Sequence, residues 1–583
     1  MRRLRRWSPR LHGNCRLGDL RSCARARRSS ATSWKHRLSG AAAQHRRRRA
    51  RALARRRARI DRTRATKRPV TESSAQTSSP RPRRQAYALA ALGGAFYFLG
   101  WAGFGLWPLS LICLVPLWGA LEIGLSRFWR HSLAVAWLYG TVTCAGGYHW
   151  LVEFLEVFSG YGYAASALFW LLFSAYLGFN FAVYGLVYRA LRKRGWSTAF
   201  VAIPTLLLIE WLYPSLFPTY LSNSLFAQTA LVQIADLGGP MLVTVVIALV
   251  NLSIYEAWRW RTARRALPRA LWGITVAAVA LTTIYGLLRI SQIERELEGA
   301  PVLRMGVVQV NMGIFEKRTE AIEGHRRHLE QSRELEEEGK LDLLIWPESA
   351  FVDGLPRRLP LSAEMVRREL ESPLLFGGVS TERIGGKRRV YNTVFLTDAE
   401  GTVRSTYDKT YLLMFGEYLP FGDIFPILYE LSPNSGRFTA GTHVRPLTLG
   451  PWRISTPVCY EDVLARFTRK MVREAKPHVL INLTNDAWFG DSQEPWIHLV
   501  LSRYRAIEHR RYLVRATNSG ISAVIDPLGR VVARTGLLTR ENLRYDVHML
   551  EGETVYGRIG DWPGWLGLAA VLFMFIRRRD GGR

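Results

Sequence analysis

Cysteine is scarce. The 583 residues hold five, at Cys15, Cys23, Cys113, Cys144 and Cys459. No CxxC pair occurs, so neither a disulfide framework nor a zinc knuckle is indicated. The His residues are scattered without metal-ligand spacing, and no metal or cofactor is expected. No internal repeat runs through the chain. Acidic residues are almost missing from the N-terminal part. Residues 1–84 hold 28 Lys and Arg against 3 Asp and Glu, which places +25 of the formal +33 there. With few apolar residues, that tail cannot build a core and reads as disordered. A nucleic-acid or anionic-lipid arm is one reading of it. A tail without a specific role, or translated sequence upstream of the real start, is favoured, and no nucleic acid is expected as a partner. The stretch TESSAQTSSPRPRRQ then reads as a linker.

Lys and Arg are absent in turn from long apolar stretches between 86 and 288. Seven read as membrane spans: AYALAALGGAFYFLGW, GLWPLSLICLVPLWGAL, SLAVAWLYGTVTCAGGYHW, YAASALFWLLFSAYLGFNFAVYGLVY, TAFVAIPTLLLIEWLY, GGPMLVTVVIALVNLSIY and ALWGITVAAVALTTIYGLL. An eighth, PGWLGLAAVLFMFI, lies at 563–576. Several approach the ~20 residues that cross ~30 Å of hydrocarbon; the first, second, fifth and eighth are short. The segments before span one and after spans two, four, six and eight are basic. The loops VEFLEVFSGYG and PSLFPTYLSNSLFAQ contain no Lys or Arg. This asymmetry places both termini in the cytoplasm and the segment between spans seven and eight outside. The expected organisation is a basic tail (1–84), a bundle (85–288), a soluble domain (289–561) and a last span with a basic end (562–583).

In 289–561, β-branched and aromatic runs such as LRMGVVQV, LDLLIWP, VYNTVFLTD and HVLINL alternate with amphipathic stretches such as RTEAIEGHRRHLEQSRELEEE and HLVLSRYRAIEHRR. That alternation argues for a layered α/β domain. Three stretches in it can carry chemistry. In LLIWPESAF, Pro347 ends regular pairing and leaves Glu348 at a strand terminus. In STYDKTYLLMFGEYLPF, Lys409 precedes a loop too apolar to stand in water alone. In STPVCYEDVL, Cys459 sits at a strand-to-helix turn, where the helix dipole is expected to lower its pKa. Taken singly, these residues read as a solvated acid, a surface lysine and a buried thiol.

Together, Glu348, Lys409 and Cys459, in that order, resemble the Glu–Lys–Cys triad of the nitrilase, or carbon–nitrogen hydrolase, superfamily. The block NLTNDAWFGDSQEPWIHLVLSRYRAIEHRRYLVRATNSGISAVIDPLGR narrows the resemblance. Over roughly 86–577 the chain resembles the apolipoprotein N-acyltransferase family of bacterial inner-membrane enzymes. The resemblance implies a polytopic helical membrane bundle of about eight spans plus an α/β, nitrilase-like αββα sandwich in the periplasm. It implies transfer of an acyl chain from a phospholipid to the α-amino group of an apolipoprotein's diacylglyceryl-cysteine, by a monomer at the bilayer. Glu348 would then be the base, Lys409 the oxyanion's positive charge and Cys459 the nucleophile forming a thioester. Glu417 would support Lys409, and Tyr460 and Glu461 would stand beside the nucleophile. Arg318 after Lys317, and Met414 before Phe415-Gly416-Glu417, depart from the family's pattern. The apolar segments LLMFGEYLPF and FGDIFPILYELSPNSG read as lids or lipid-contacting arms. A membrane-tethered nitrilase-type amidase that passes the acyl group to water, and a silent lipid- or lipoprotein-binding scaffold, are the competing readings.

Overall fold

The computed structural model describes residues 80–125, 128–263, 268–313 and 316–577. Nearly all of the basic tail, with Cys15 and Cys23, lies outside the described residues, as do the Lys317 and Arg318 side chains.

Each of the eight apolar stretches coincides with helix. The helices run Pro80–Leu99, Leu114–Ile123 after a 3-10 turn at Trp107–Leu111, Trp129–Gly147, Tyr163–Lys193, Thr198–Leu212, Ala235–Ala263, Arg269–Glu298 and Trp562–Ile576. Three of them, Tyr163–Lys193, Ala235–Thr262 and Arg269–Glu298, are long and apolar enough to cross a membrane by length and composition. Trp107–Ile123, Thr198–Leu212 and Trp562–Ile576 are apolar but shorter. Close approach comes from small residues: a Cβ on Gly140 would lie 2.3 Å from the Gly178 carbonyl of the neighbouring helix. Outward faces stay apolar, as at Leu168, Leu172, Val276, Leu288 and Ile576, which are all exposed.

Two boundaries differ from expectation. The first helix begins at Pro80, inside the expected linker, and the seventh runs to Glu298, past residue 288. Their flanks, RPRRQ and SQIERELE, are mostly helix-favouring residues, which carry the adjoining helices past their apolar runs. A third difference is a helix, Leu151–Ser159, where VEFLEVFSGYG read as a loop. Its residues Leu151, Phe154, Leu155 and Phe158 follow a helical period. Gly160, at φ 71°, ends it as a left-handed cap.

The C-terminal part is two sheets. The eight-stranded sheet runs, in spatial order, Glu541–His548, Val302–Gln309, Leu343–Ile345, Leu374–Ile384, Lys387–Thr397, Thr402–Asp408 and Leu361–Ser362, with Phe351–Pro356 also pairing with Leu374–Ile384. The six-stranded sheet runs Val531–Arg534, Ala523–Ile525, Tyr512–Thr517, Val479–Thr484, Trp452–Ser455 and Leu447–Leu449. The period of two decides which layer each side chain joins. Leu343 and Ile345 meet Val479, Ile481 and Leu483 between the sheets. Leu344 points the other way, into a cluster with Leu335 of the helix Ala321–Glu337. Leu480 likewise packs outward against Leu499 and Ala506 of the helix Glu494–His509. The layers are thus helix, sheet, sheet, helix. Six strands were not foreseen: Phe351–Pro356, Leu361–Ser362, Thr402–Asp408, Leu447–Leu449, Val531–Arg534 and Glu541–His548. Several are short or polar and gain their pairing from distant partners, as Glu541–His548 does antiparallel to Val302–Gln309.

A polar knot ties bundle to sandwich. The helix Ala235–Ala263 kinks where Gly239 adopts φ 68° before Pro240. Asp236, just before the kink, accepts from Arg289 at 2.9 Å and from Arg510, beyond the helix Glu494–His509, at 2.7 Å.

Candidate active site

Three strand ends converge. The strand Leu343–Ile345 delivers Glu348, Thr402–Asp408 delivers Lys409, and Trp452–Ser455 leads to Cys459. The Lys409 ammonium is 1% exposed. It lies 2.8 Å from Glu417 Oε2 and 3.5 Å from Glu348 Oε1. Burial alone would depress its pKa, but Glu417 and Glu348 outweigh that and hold it well above the usual lysine range.

Sequence reasoning missed Asn392. Its Nδ2 donates to Glu348 Oε1 at 2.7 Å and to Glu417 Oε1 at 2.9 Å, so it joins the two carboxylates that flank Lys409. The available signal was an amide inside the apolar strand VYNTVF, a group that is costly to bury unless it is hydrogen-bonded. Glu417 also accepts the Leu413 N–H at 2.8 Å, which fixes the start of the apolar loop.

Cys459 is half-buried and has φ 50°, a left-handed conformation in which a residue with a Cβ is strained. The turn is held from below by Asn482, whose Nδ2 donates to the carbonyls of Pro457 at 2.9 Å and Cys459 at 3.2 Å. The expected lowering of the thiol pKa does not occur. Burial first, then Glu348, push the thiol well above its usual range, and Lys409 pulls the other way without prevailing. The helix that starts at Cys459 is also only the five-residue 3-10 turn Cys459–Val463, with the α-helix Ala465–Ala475 beginning after it. One such turn supplies little dipole against a buried carboxylate.

Glu461 clamps the two loops together. Its carboxylate accepts the N–H groups of Val458 (2.8 Å), Thr410 (2.7 Å) and Tyr411 (2.8 Å), and the Tyr407 hydroxyl at 2.9 Å. Burial raises its pKa to about 7 against the pull of these donors. Tyr460 turns away from the triad: its hydroxyl donates to the Leu216 carbonyl and its ring packs edge-on to Phe217 in the bundle.

Beneath the turn lies a buried charge network. His498 bonds Asp486 at 3.1 Å and Asp462 at 3.0 Å, and Arg515 reaches Asp462 at 2.5 Å and Asp486 at 3.4 Å. Burial and Arg515 depress His498, but Asp486 and Asp462 prevail and raise it to about 10. Asp486, Glu494 and His498 bring ligand atoms within 4.8 Å of one another. The set carries its own cations in Arg515 and protonated His498, which suits an ion network rather than a metal site.

A cavity of about 1340 Å³ lies between bundle and sandwich. Its walls are mainly apolar and aromatic, including Trp101, Phe154, Phe173, Leu413 and Phe467. Glu348, Lys409 and Cys459 do not line it, but Thr410 and Tyr460, next in the chain to Lys409 and Cys459, do. Met414 and Phe415 of the apolar loop form part of its wall.

The layered sheets, with Glu348, Lys409 and Cys459 at converging strand ends, fit a carbon–nitrogen hydrolase domain joined to a helical bundle. Residues 304–549 match the family model for carbon–nitrogen hydrolase, and residues 93–253 match that for the apolipoprotein N-acyltransferase N-terminal domain. An apolipoprotein N-acyltransferase of Geobacter metallireducens is 31% identical over 86% of this chain and 96% of its own length. One from Bradyrhizobium diazoefficiens is 32% identical over 70% and 79% respectively. The solved structure of Saccharomyces cerevisiae Nit3, a member of branch 10 of the nitrilase superfamily, shares 15% identity over 42% of this chain and 90% of its own, with a TM-score of 0.33. The chain belongs to the apolipoprotein N-acyltransferase family.

Proposed function

We propose that the protein moves a fatty acyl chain from a phospholipid to the α-amino group of an apolipoprotein's diacylglyceryl-cysteine, through a thioester on Cys459. Glu348 takes the Sγ proton as sulfur attacks the ester carbonyl. Lys409 stabilises the tetrahedral oxyanion. Glu348 then returns the proton to the departing alcohol of the lysophospholipid. In the second half the amine attacks the thioester, its proton passes through Glu348, and the thiol is regenerated. The raised thiol pKa fits this order, because the sulfur rests protonated and gives up its proton only beside its base. Glu417 and Asn392 hold Lys409 and Glu348 in register, while Glu461 holds the two loops that carry Lys409 and Cys459.

The observation that carries this reading is the mainly apolar cavity whose wall includes Thr410 and Tyr460, the residues next in the chain to Lys409 and Cys459. It suits acyl chains, and a site fed from it keeps water from the thioester. The helices from Pro80–Leu99 to Arg269–Glu298, with Trp562–Ile576, then form the eight-span bundle, and the two sheets with their helices the catalytic domain. The basic segments at one side of the helices favour cytoplasmic termini and a periplasmic active site in the bacterial inner membrane. Purified protein incubated with labelled phospholipid and a diacylated lipopeptide tests the reading. The expected result is label on Cys459, followed by N-acylated peptide. Free fatty acid as the sole product would assign a hydrolase, and no label on the protein would assign a scaffold.

A further inference from the structure

The cavity has a polar pole that the acyl-transfer chemistry does not use. Among the described residues lining it, the cations are Arg466 and Lys470 and the sole acid is Glu210. Both cations stand on the helix Ala465–Ala475. At i and i+4 they share one face of it. The helix buries Phe467, Thr468 and Met471 in the sandwich, so its position is fixed by packing.

The two cations differ in what they already hold. Arg466 Nε pairs with Asp561 at 2.7 Å, and its Nη2 donates to the Trp211 carbonyl at 2.6 Å. Its guanidinium also lies 5.3 Å from the Trp211 ring. Those contacts leave Nη1 without a hydrogen bond among the described residues. Lys470 makes neither an ion pair nor a hydrogen bond among the described residues, and it is exposed. A half-committed guanidinium and an ammonium with no partner among the described residues, both exposed, therefore stand in the wall of a mainly apolar space.

Their level relative to a bilayer follows from the aromatic residues beside them. Trp211 closes the helix Thr198–Leu212, Trp565 opens the helix Trp562–Ile576, and their rings lie 4.4 Å apart. Trp at helix ends marks the head-group layer of a membrane. The phosphate of a phospholipid lies in that layer. An apolar chamber below, with two cations at its rim, is complementary to a lipid whose chains are apolar and whose link to the head group is an anion.

We propose that Arg466 and Lys470 form a binding site for the lipid phosphate of the acyl donor, whose chains occupy the adjoining cavity. This rests on the acyl-transfer reading above and adds to it the group by which the donor is held. The acceptor's diacylglyceryl-cysteine has no phosphate at the corresponding place. The site therefore acts on the donor half-reaction alone.

Steady-state kinetics with the full-length protein in mixed micelles separates the two substrates. Labelled phosphatidylglycerol serves as donor and a diacylated lipopeptide as acceptor. Lys470→Glu is expected to raise the donor KM about tenfold or more, the loss of one charge-assisted contact. Lys470→Gln should raise it less, and Lys470→Arg should restore it, with kcat and the acceptor KM unchanged throughout. Because Lys470 is exposed and unpaired, these variants should melt at the wild-type temperature. Arg466→Gln, which also breaks the Asp561 pair, should raise the donor KM and lower the melting temperature. A donor KM within twofold of wild type in Lys470→Glu would overturn the proposal, as would an equal rise for the acceptor. Relief of these effects by inorganic phosphate, or its competition with donor at millimolar levels, would assign a free-anion site instead and also overturn it. Absence of a Cys459 thioester in the wild type would defeat the acyl-transfer reading itself, a different outcome from any of these.

Discussion

Asn392 offers the sharpest test of the active-site geometry. Asn392→Ala removes two hydrogen bonds at once, to Glu348 at 2.7 Å and to Glu417 at 2.9 Å. Each is to a carboxylate, and such bonds contribute about 1.5–3 kcal/mol apiece. Lys409 remains between the carboxylates and takes over part of the load, at 2.8 Å from one and 3.5 Å from the other. A net loss near one bond, about 1.5–3 kcal/mol, should then fall on the acylation step. That corresponds to about 10- to 100-fold in rate. The assay is single-turnover labelling of Cys459 by phospholipid, read alongside thermal melting. Asn392→Asp should be worse than Ala, because it sets a further carboxylate beside Glu348 and Glu417. Wild-type labelling by Asn392→Ala, with only a lower melting temperature, would reduce Asn392 to a structural residue and refute the argument.

Four further expectations follow from the same geometry. Lys409→Met should lower acylation by about 10²–10³-fold, and loss of the buried ammonium that pairs with both Glu348 and Glu417 should destabilise the fold by about 3–5 kcal/mol; a variant as stable as wild type would contradict the buried ion pairs. Glu461→Gln cannot accept from all three backbone N–H groups with one carbonyl oxygen, so thioester formation should fall about tenfold or more; unchanged labelling would show that the clamp is dispensable. The raised Cys459 thiol predicts that its alkylation by iodoacetamide is slow near pH 7 and still climbs above pH 9.0, the ordinary thiol value; a plateau below pH 8 would mean a lowered pKa. Environment-sensitive labels at Phe421 or Ile424, exposed at 70% and 68%, should report bilayer contact in proteoliposomes, and a purely aqueous signal would remove the lipid-arm reading of that loop.

Much of the architecture was legible because it is written in local periodicity. Long apolar runs marked eight of the bundle helices, since a helix buried or bathed in lipid needs no polar face. Apolar strands such as HVLINL betrayed themselves because both of their faces are buried. The polar strand Glu541–His548 did not, since its pairing partner lies more than 230 residues earlier in the chain, a distance no local pattern carries. The helix Leu151–Ser159 is short and carries two acids, so it reads as a loop between spans, although Phe154 and Phe158 already repeat at helical spacing. In the folded chain these rings pack on Phe489 and Trp488, which follow Asp486 of the charge network in the chain.

By itself the sequence determined residue types and order: an acid after a strand, a lysine before an apolar loop, a cysteine at a strand end, and a run of helices without polar faces. Only the tertiary structure decided their electrostatics. A helix following Cys459 suggested a lowered thiol pKa; burial and Glu348 reverse the sign, because desolvation and a nearby carboxylate act at short range and depend on what other segments bring. Tertiary structure alone also brought Asn392 between two carboxylates, gave Glu461 three backbone donors from two loops, and opened the apolar cavity between bundle and sandwich. These are contacts between segments far apart in the chain, and their energies depend on distance in space.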